Sequence, residues 1–354
     1  MSDAASSSTP QELTTRDVVR IPAVRNMLIY STLLYTGLAL QAAALGKQVY
    51  DITGREIDIG WIGLVEFLPA AFLVLVTGMV ADRFQRKKVA MIGMAGELTS
   101  ALALMFYART HPTAVAPIFF ITFLYGVSRA FIAPAARSIW PMVAPPGGLP
   151  AVVALSSATW TGAAILGPAS SGLLYSVDPW VAYAVASGLV TLSMFVLTRV
   201  RTGQAATEEN RERPTLKHAL EGLQFVRRTP ILLAAISLDL FAVLFGGAIA
   251  LLPVIAEERL NVGDVAYGWL RAAAGIGAAG VALVLAFHPV RRKIGRLLFF
   301  VVATFGIATV VLGLTRSYLV AFIAVIVLSG ADMVSVFIRG SIVPLVTPDD
   351  KRGR

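Results

Sequence analysis

An all-α integral membrane protein, with a six-helix N-terminal bundle followed by an incomplete four-helix C-terminal bundle, is the fold class that this sequence predicts. Three observations predict it. Of 354 residues, 56% are hydrophobic and 14% charged, whereas soluble chains average about 45–50% and about 25%. Apolar blocks of membrane-crossing length recur along the chain, and the basic residues fall between those blocks on one side only.

Blocks of roughly 20 residues, enough to cross ~30 Å of hydrocarbon as a helix, lie at 26–50, 58–80, 88–108, 116–138, 151–176, 180–199, 231–256, 266–287, 298–315 and 318–345. Pro69, Pro134 and Pro253 fall inside such blocks. They are compatible with membrane helices, whose neighbours can satisfy the freed carbonyls. Residues 1–25 read as a cytoplasmic tail, its first 20 residues disordered, with Ser6–Ser8, alternating charges and no apolar core of secretory-signal length. The polar connection 201–230 contains Leu216, Leu220, Leu223 and Phe225 at helical spacing, which predicts an amphipathic helix on the membrane surface. The chain thus divides into the tail, a bundle over 26–200, the linker 201–230 and a second bundle over 231–354.

With the N-terminus in the cytoplasm, the basic residues collect in the inner loops, and the outer loops hold only Arg55, Arg109, Arg259 and Arg316. That asymmetry predicts a multi-pass protein with both termini inside. It also accounts for the formal charge of +9, so the expected partner of the basic loops is the lipid bilayer and not nucleic acid. No cysteine is present, the three histidines lie in polar connections, and no GxxxxGK[ST] run occurs. No cofactor, metal site, catalytic residue or enzymatic activity is therefore expected.

The two halves echo each other. Gly60-Trp61-Ile62 stands 23 residues before Arg83, and Gly268-Trp269-Leu270 stands 23 before Arg291. Ser138–Pro145 and Ser341–Pro348 share the pattern S-I-x-P-x-V-x-P. Two six-helix halves are implied, and in that register the last two helices of the second half are missing. Roughly 50 further residues are expected, by the length of the matching part of the first half.

Between the second and third blocks stands Gly78-Met79-Val80-Ala81-Asp82-Arg83-Phe84-Gln85-Arg86-Lys87. It resembles the G-x-x-x-D-R-x-G-R-R/K loop of the major facilitator superfamily, with Gly78, Asp82, Arg83, Arg86 and Lys87 in matching places and Gln85 where a glycine is usual. The resemblance implies a gate in which an acid beside a basic cluster pairs and unpairs as the bundles move. Plain orientation charge is the alternative. On the fifth block, Gly162, Gly167, Pro168 and Gly172 resemble the superfamily's antiporter motif, with generic helix packing as the alternative. Gly46–Asp51, Arg129–Ala135 and Thr347–Arg354 look like the enterobactin-exporter branch, also called transmembrane secretion effectors. What this branch implies is a monomeric bacterial inner-membrane exporter of a siderophore or drug-like small molecule, driven by protons through alternating access. A truncated, non-transporting membrane protein is the competing expectation.

Gly275–Gly280 spells GxGxxG but lies inside an apolar helix with no strand before it, so it reads as helix contact and not as a nucleotide loop. Ionisable residues at membrane depth are functional candidates by default. They are Glu66, Glu97, Arg129, Asp239, Arg271, Asp332 and Arg339. The resemblance assigns the helices of Asp239, Arg129 and Asp332 to the cavity wall. Asp239, about 12 Å into its helix at 1.5 Å per residue, is the expected proton carrier, with Glu66 next. At the repeat offset Arg129 faces Asp332, which predicts an ion pair between the halves, with Arg339 as the competing partner of Asp332.

Overall fold

The computed structural model describes residues 13–200, 247–288 and 294–346, together with 227, 233 and 237. For residues 74, 75, 78, 79, 81–83, 294 and 339–346 the description covers the backbone alone. The linker helix expected at 216–226, Asp239 and the last eight residues lie outside the described residues.

After a short helix α1 (Thr15–Val19), six long helices run in alternating directions. These are α2 (Pro22–Thr53), α3 (Glu56–Arg83), α4 (Arg86–Ala108), α5 (Ala116–Val143), α6 (Leu149–Tyr175) and α7 (Pro179–Arg199). Among the described residues three more long helices follow: α8 (Asp264–Phe287), α9 (Ile294–Leu314) and α10 (Tyr318–Val346). Eight helices among the described residues are long and apolar enough to cross a membrane. Connections are short because their ends are signalled locally. Asp178 caps α7 by accepting from Trp180 N–H, with Pro179 in the first turn, where its missing N–H costs nothing. Gly54 ends α2 in the left-handed region, φ 59°, which glycine adopts without strain.

In the first bundle α2 packs on α6 and α7, α4 on α5 and α7, and α3 on α5. Its core has two ends. Met27, Tyr30, Leu34, Tyr125 and Trp140 fill the end nearer the N-terminus, while Leu40, Leu45, Val49, Ile62, Leu104 and Tyr183 fill the other. In the second bundle α10 packs on α8 and α9 around Leu270, Leu312 and Val325. Large apolar side chains such as Phe72, Ile92, Phe106 and Phe299 point outward, each more than half exposed. Such a surface marks contact with lipid or another apolar partner. The face bearing the N-terminus and the basic 83–88 loop is called the basic face below, and its opposite the far face.

Residues 13–20 depart from the disordered tail read from the sequence. Thr14 and Asp17 form a capping box on α1, Leu13 N–H donates to the Gly147 carbonyl, and Val18 is fully buried beside Gly148. The hydrogen bond from the Thr14 hydroxyl, with help from Arg20, holds the Asp17 carboxyl below its ordinary range. A group whose folded-state pKa is depressed contributes above its unfolded value, about 4, and loses that contribution as pH falls through the lowered one. The protection factors of the Asp17 and Val18 amides, exchange rates divided by the intrinsic rate at each pH, should therefore fall below about pH 4, and Asp17→Asn should show the low protection at all pH. Protection that does not change with pH in the unmodified chain would contradict the role of the carboxylate.

Candidate functional site

A cavity of about 590 Å³ lies between α3 and α5, lined by Glu66, Phe67, Ala70, Gly126, Arg129 and Arg137 among others. Two backbone features place its charges. Gly126 sits where a Cβ would stand 2.4 Å from the Glu66 carbonyl oxygen and 3.1 Å from the Pro69 ring, so only glycine lets α3 approach α5 this closely. Pro69, inside α3, removes a helical hydrogen bond just beyond Glu66. At this crossing Glu66 forms an ion pair with Arg129. Arg129 also reaches the Tyr125 hydroxyl at 3.3 Å, with the guanidinium 5.4 Å from that ring's centroid.

The sequence-level expectation paired Arg129 with Asp332 on the opposite half. The structure corrects it: the partner is Glu66, one helix away within the same bundle. The repeat offset locates equivalent positions in two halves, whereas contact depends on which backbones come close. Asp332 is half-buried on α10 and makes no ion pair among the described residues. The side chain of Arg339 and all of Asp239 lie outside the description. Behind the Arg129 pair, Glu97 is fully buried on α4, with Gln41 of α2 as its polar neighbour.

At the far face the two bundles are locked together. Lys47, near the end of α2, pairs with Asp51 on its own helix. It also pairs with Glu257 at 3.1 Å and Asp264 at 3.5 Å on the second bundle. Tyr175 from α6 donates to the other oxygen of Asp51 at 2.6 Å, and Tyr50 donates to Glu258. Glu257 and Glu258 sit side by side in a single π-helical turn, Ile255–Arg259, which presents both towards α2. Just below, the Tyr267 hydroxyl donates to the Ala43 carbonyl at 3.1 Å. This seal was not read from the sequence. Lys47 and Asp51 were noted only within a family-like stretch, and an i,i+4 Lys–Asp pair looks like ordinary helix decoration.

Of the antiporter-like residues, Gly172 is the decisive one: a Cβ there would stand 2.5 Å from the Asp264 carbonyl and 2.7 Å from the Gly268 Cα. This is where α6 crosses α8, joining the two bundles beneath the Lys47 seal. Gly167 lies equally tight against Ala39 and Leu40 of α2, and the Pro168 carbonyl touches the Gly268 position, but Gly162 faces open space. Gly275 and Gly277, from the GxGxxG run, contact the backbones of α6 and α10 respectively, as close helix packing requires. Gly172→Leu should thus lower the melting temperature on the order of 5 °C, the effect of forcing bulk into a packed seam. Gly162→Leu should change it by about a degree or less. Equal effects in a detergent thermal-shift assay would remove the distinction.

The loop motif reads differently by residue. Gly78, Asp82 and Arg83 lie in the last turns of α3, their side chains outside the description. Arg86 donates to the Ser138 carbonyl at 3.3 Å. Lys87 donates to the carbonyls of Thr198 and Val200 at 2.8 and 3.0 Å, placing a cation at the C-terminus of α7, the favourable end of the helix dipole.

The Major Facilitator Superfamily profile matches residues 27–354. The chain is similar to an uncharacterised MFS-type transporter, YfiS, of Bacillus subtilis, 26% identical over 75% of this chain and 64% of that protein. It is similar also to macrolide efflux protein A of Streptococcus pyogenes, 26% identical over 64% of this chain and 57% of that one. The chain thus spans less than two thirds of the length of either relative. A bacterial homologue of the lysosomal transporter Spinster, solved inward-facing and unoccupied, superposes with a TM-score of 0.70 at 14% identity, over 94% of this chain and 77% of that one.

Proposed function

The chain belongs to the major facilitator superfamily, and on that premise we propose that it exports a small organic molecule by alternating access, driven by inward proton flow. The observation that carries this reading is the asymmetry of the seam between the bundles. It is closed at the far face by Lys47, Asp51, Glu257 and Asp264 and by the Gly172–Gly268 crossing. At the basic face the contacts of Arg86 with the Ser138 carbonyl and of Lys87 with the carbonyls of Thr198 and Val200 stay within the first bundle. With the basic face in the cytoplasm, as the positive-inside rule directs, this is an inward-open state. The protein then sits in a bacterial inner membrane with both termini inside and works as a monomer. The efflux relative supports the outward direction, and the motif residues Asp82–Lys87 support a gate that closes the inner side when the outer one opens.

The proposed proton carrier is Asp239, with Glu66 as the alternative. The proposed cargo class is siderophore or drug-like, following the branch that the sequence resembles. Inside-out vesicles containing the chain should accumulate a catechol siderophore or a macrolide when their lumen is acidified, and should lose the gradient on adding a protonophore. Accumulation of neither cargo would overturn the export reading. Accumulation insensitive to the protonophore would overturn proton coupling alone, and so would Asp239→Asn and Glu66→Gln variants that both pump at the unmodified rate.

A further inference from the structure

We propose that the cavity between α3 and α5 selects organic anions, with Arg137 as the group that binds the negative charge; this rests on the transport reading above and specifies its cargo. The cavity lining carries three charges, Glu66, Arg129 and Arg137. Glu66 and Arg129 neutralise each other as an ion pair. Arg137 is exposed and makes no hydrogen bond or ion pair among the described residues. Among the described side chains one net positive charge is left in the cavity, whose other walls include Phe67, Thr77, three alanines and Pro134.

Position strengthens the assignment. Arg137 lies eight residues beyond Arg129 on α5, about 12 Å nearer the basic face at 1.5 Å per residue. A guanidinium offers a rigid fork of donors matched to a carboxylate, and a low-dielectric wall strengthens that attraction compared with water. Tyr35 of α2 stands within electrostatic reach of Arg137. It also meets Trp160 of α6 edge to face at 5.2 Å between ring centroids. A guanidinium with no ion pair among the described residues, in a cavity also lined by Phe67, suits a cargo with an apolar body and one acidic group.

The test compares two probes with the same ring and opposite charge, naphthalene-2-carboxylate and 2-naphthylmethylammonium. Equilibrium dialysis measures their binding to the full chain in phosphatidylcholine nanodiscs, with empty discs subtracted. The carboxylate should bind at least tenfold tighter. Arg137→Gln should bring the ratio to about one, Arg137→Lys should keep most of it, and Arg199→Gln, which removes an arginine stacked on Phe195 outside the cavity, should leave it unchanged. A ratio near one in the unmodified chain, or a ratio that survives Arg137→Gln, overturns the proposal. If Arg137→Gln does not fold, loss of the preference in Arg137→Lys overturns it instead. Anionic lipid headgroups share this chemistry, so the measurement is repeated with phosphatidylglycerol in the discs. A preference within twofold of its former value assigns the site to free anions, whereas its abolition makes Arg137 a headgroup contact and overturns the cargo reading. Binding needs no gradient, so a chain that binds the carboxylate but fails to accumulate cargo in vesicles contradicts the export reading and leaves the anion preference standing.

Discussion

Lys47→Gln opens the far face. Among the described residues Lys47 is the one cation paired with Asp51, Glu257 and Asp264, and its own side chain keeps only 10% of its surface exposed. Removing it leaves three carboxylates facing one another across the seam, so the closed state loses both an attraction and a neutraliser. Breaking a buried pair in this one-sided way costs about 3–5 kcal/mol. Glu257 is half exposed, and solvent screens that share, so about 2–3 kcal/mol is expected here. At 1.4 kcal/mol per factor of ten, the closed-to-open ratio then falls roughly 30- to 150-fold. The chain contains no cysteine, so one introduced by Ala43→Cys, at a fully buried seam position, reports opening through its reaction with an impermeant maleimide added at the far face. Labelling should accelerate by about the same factor in Lys47→Gln. It should change far less in Asp264→Asn, which removes one acid of three and so relieves repulsion as it loses a pair. Lys47→Arg should stay slow. Equal labelling of Lys47→Gln and the unmodified chain would mean that the Gly172–Gly268 crossing closes the face unaided.

The helices were legible because lipid imposes a simple code: apolar blocks long enough to span, basic residues on one side. The blocks at 116–138 and 151–176 differ from α5 and α6 mainly at their ends, where α5 runs on through Pro141 although that residue offers no N–H. The tail was misjudged because its capping box is short and its stabilising contacts, at Gly147 and Gly148, come from more than a hundred residues away. In the site, the individual charges Glu66 and Arg129 stood out as costly at that depth. Their pairing was hidden, since it follows from the missing side chain at Gly126 that lets two backbones meet. The far-face seal was hidden for a related reason: Glu257 lies 210 residues from Lys47, and a polar turn at 257–259 looks in sequence like any other loop. Contacts made by charges of ordinary spacing in separate halves leave no periodic trace.

Arg129→Gln should be the most destabilising single change within the first bundle. It strips Glu66 of its ion pair and Tyr125 of its guanidinium neighbour, at a site where a second acid, Glu97, lies fully buried. Glu66 keeps 25% of its side-chain surface exposed and Arg129 37%, so the loss belongs near the low end of the range for a broken buried pair, about 3 kcal/mol. For a bundle of this size that is on the order of 6–12 °C in melting temperature. If Glu66 is the true partner, Glu66→Gln in the same chain should recover most of the loss, because two neutral amides of similar shape leave no uncompensated charge. A double-mutant cycle should then give a coupling of about 2 kcal/mol between positions 66 and 129, and close to none between 129 and 332. Gly126→Ala offers an independent route to the same contact, since its Cβ would collide with the Glu66 carbonyl and drive α3 away from α5. The coupling between 66 and 129 should shrink when measured in a Gly126→Ala background. A strong coupling between Arg129 and Asp332, with none to Glu66, would instead place the ion pair across the two halves and make the pairing within the first bundle incidental.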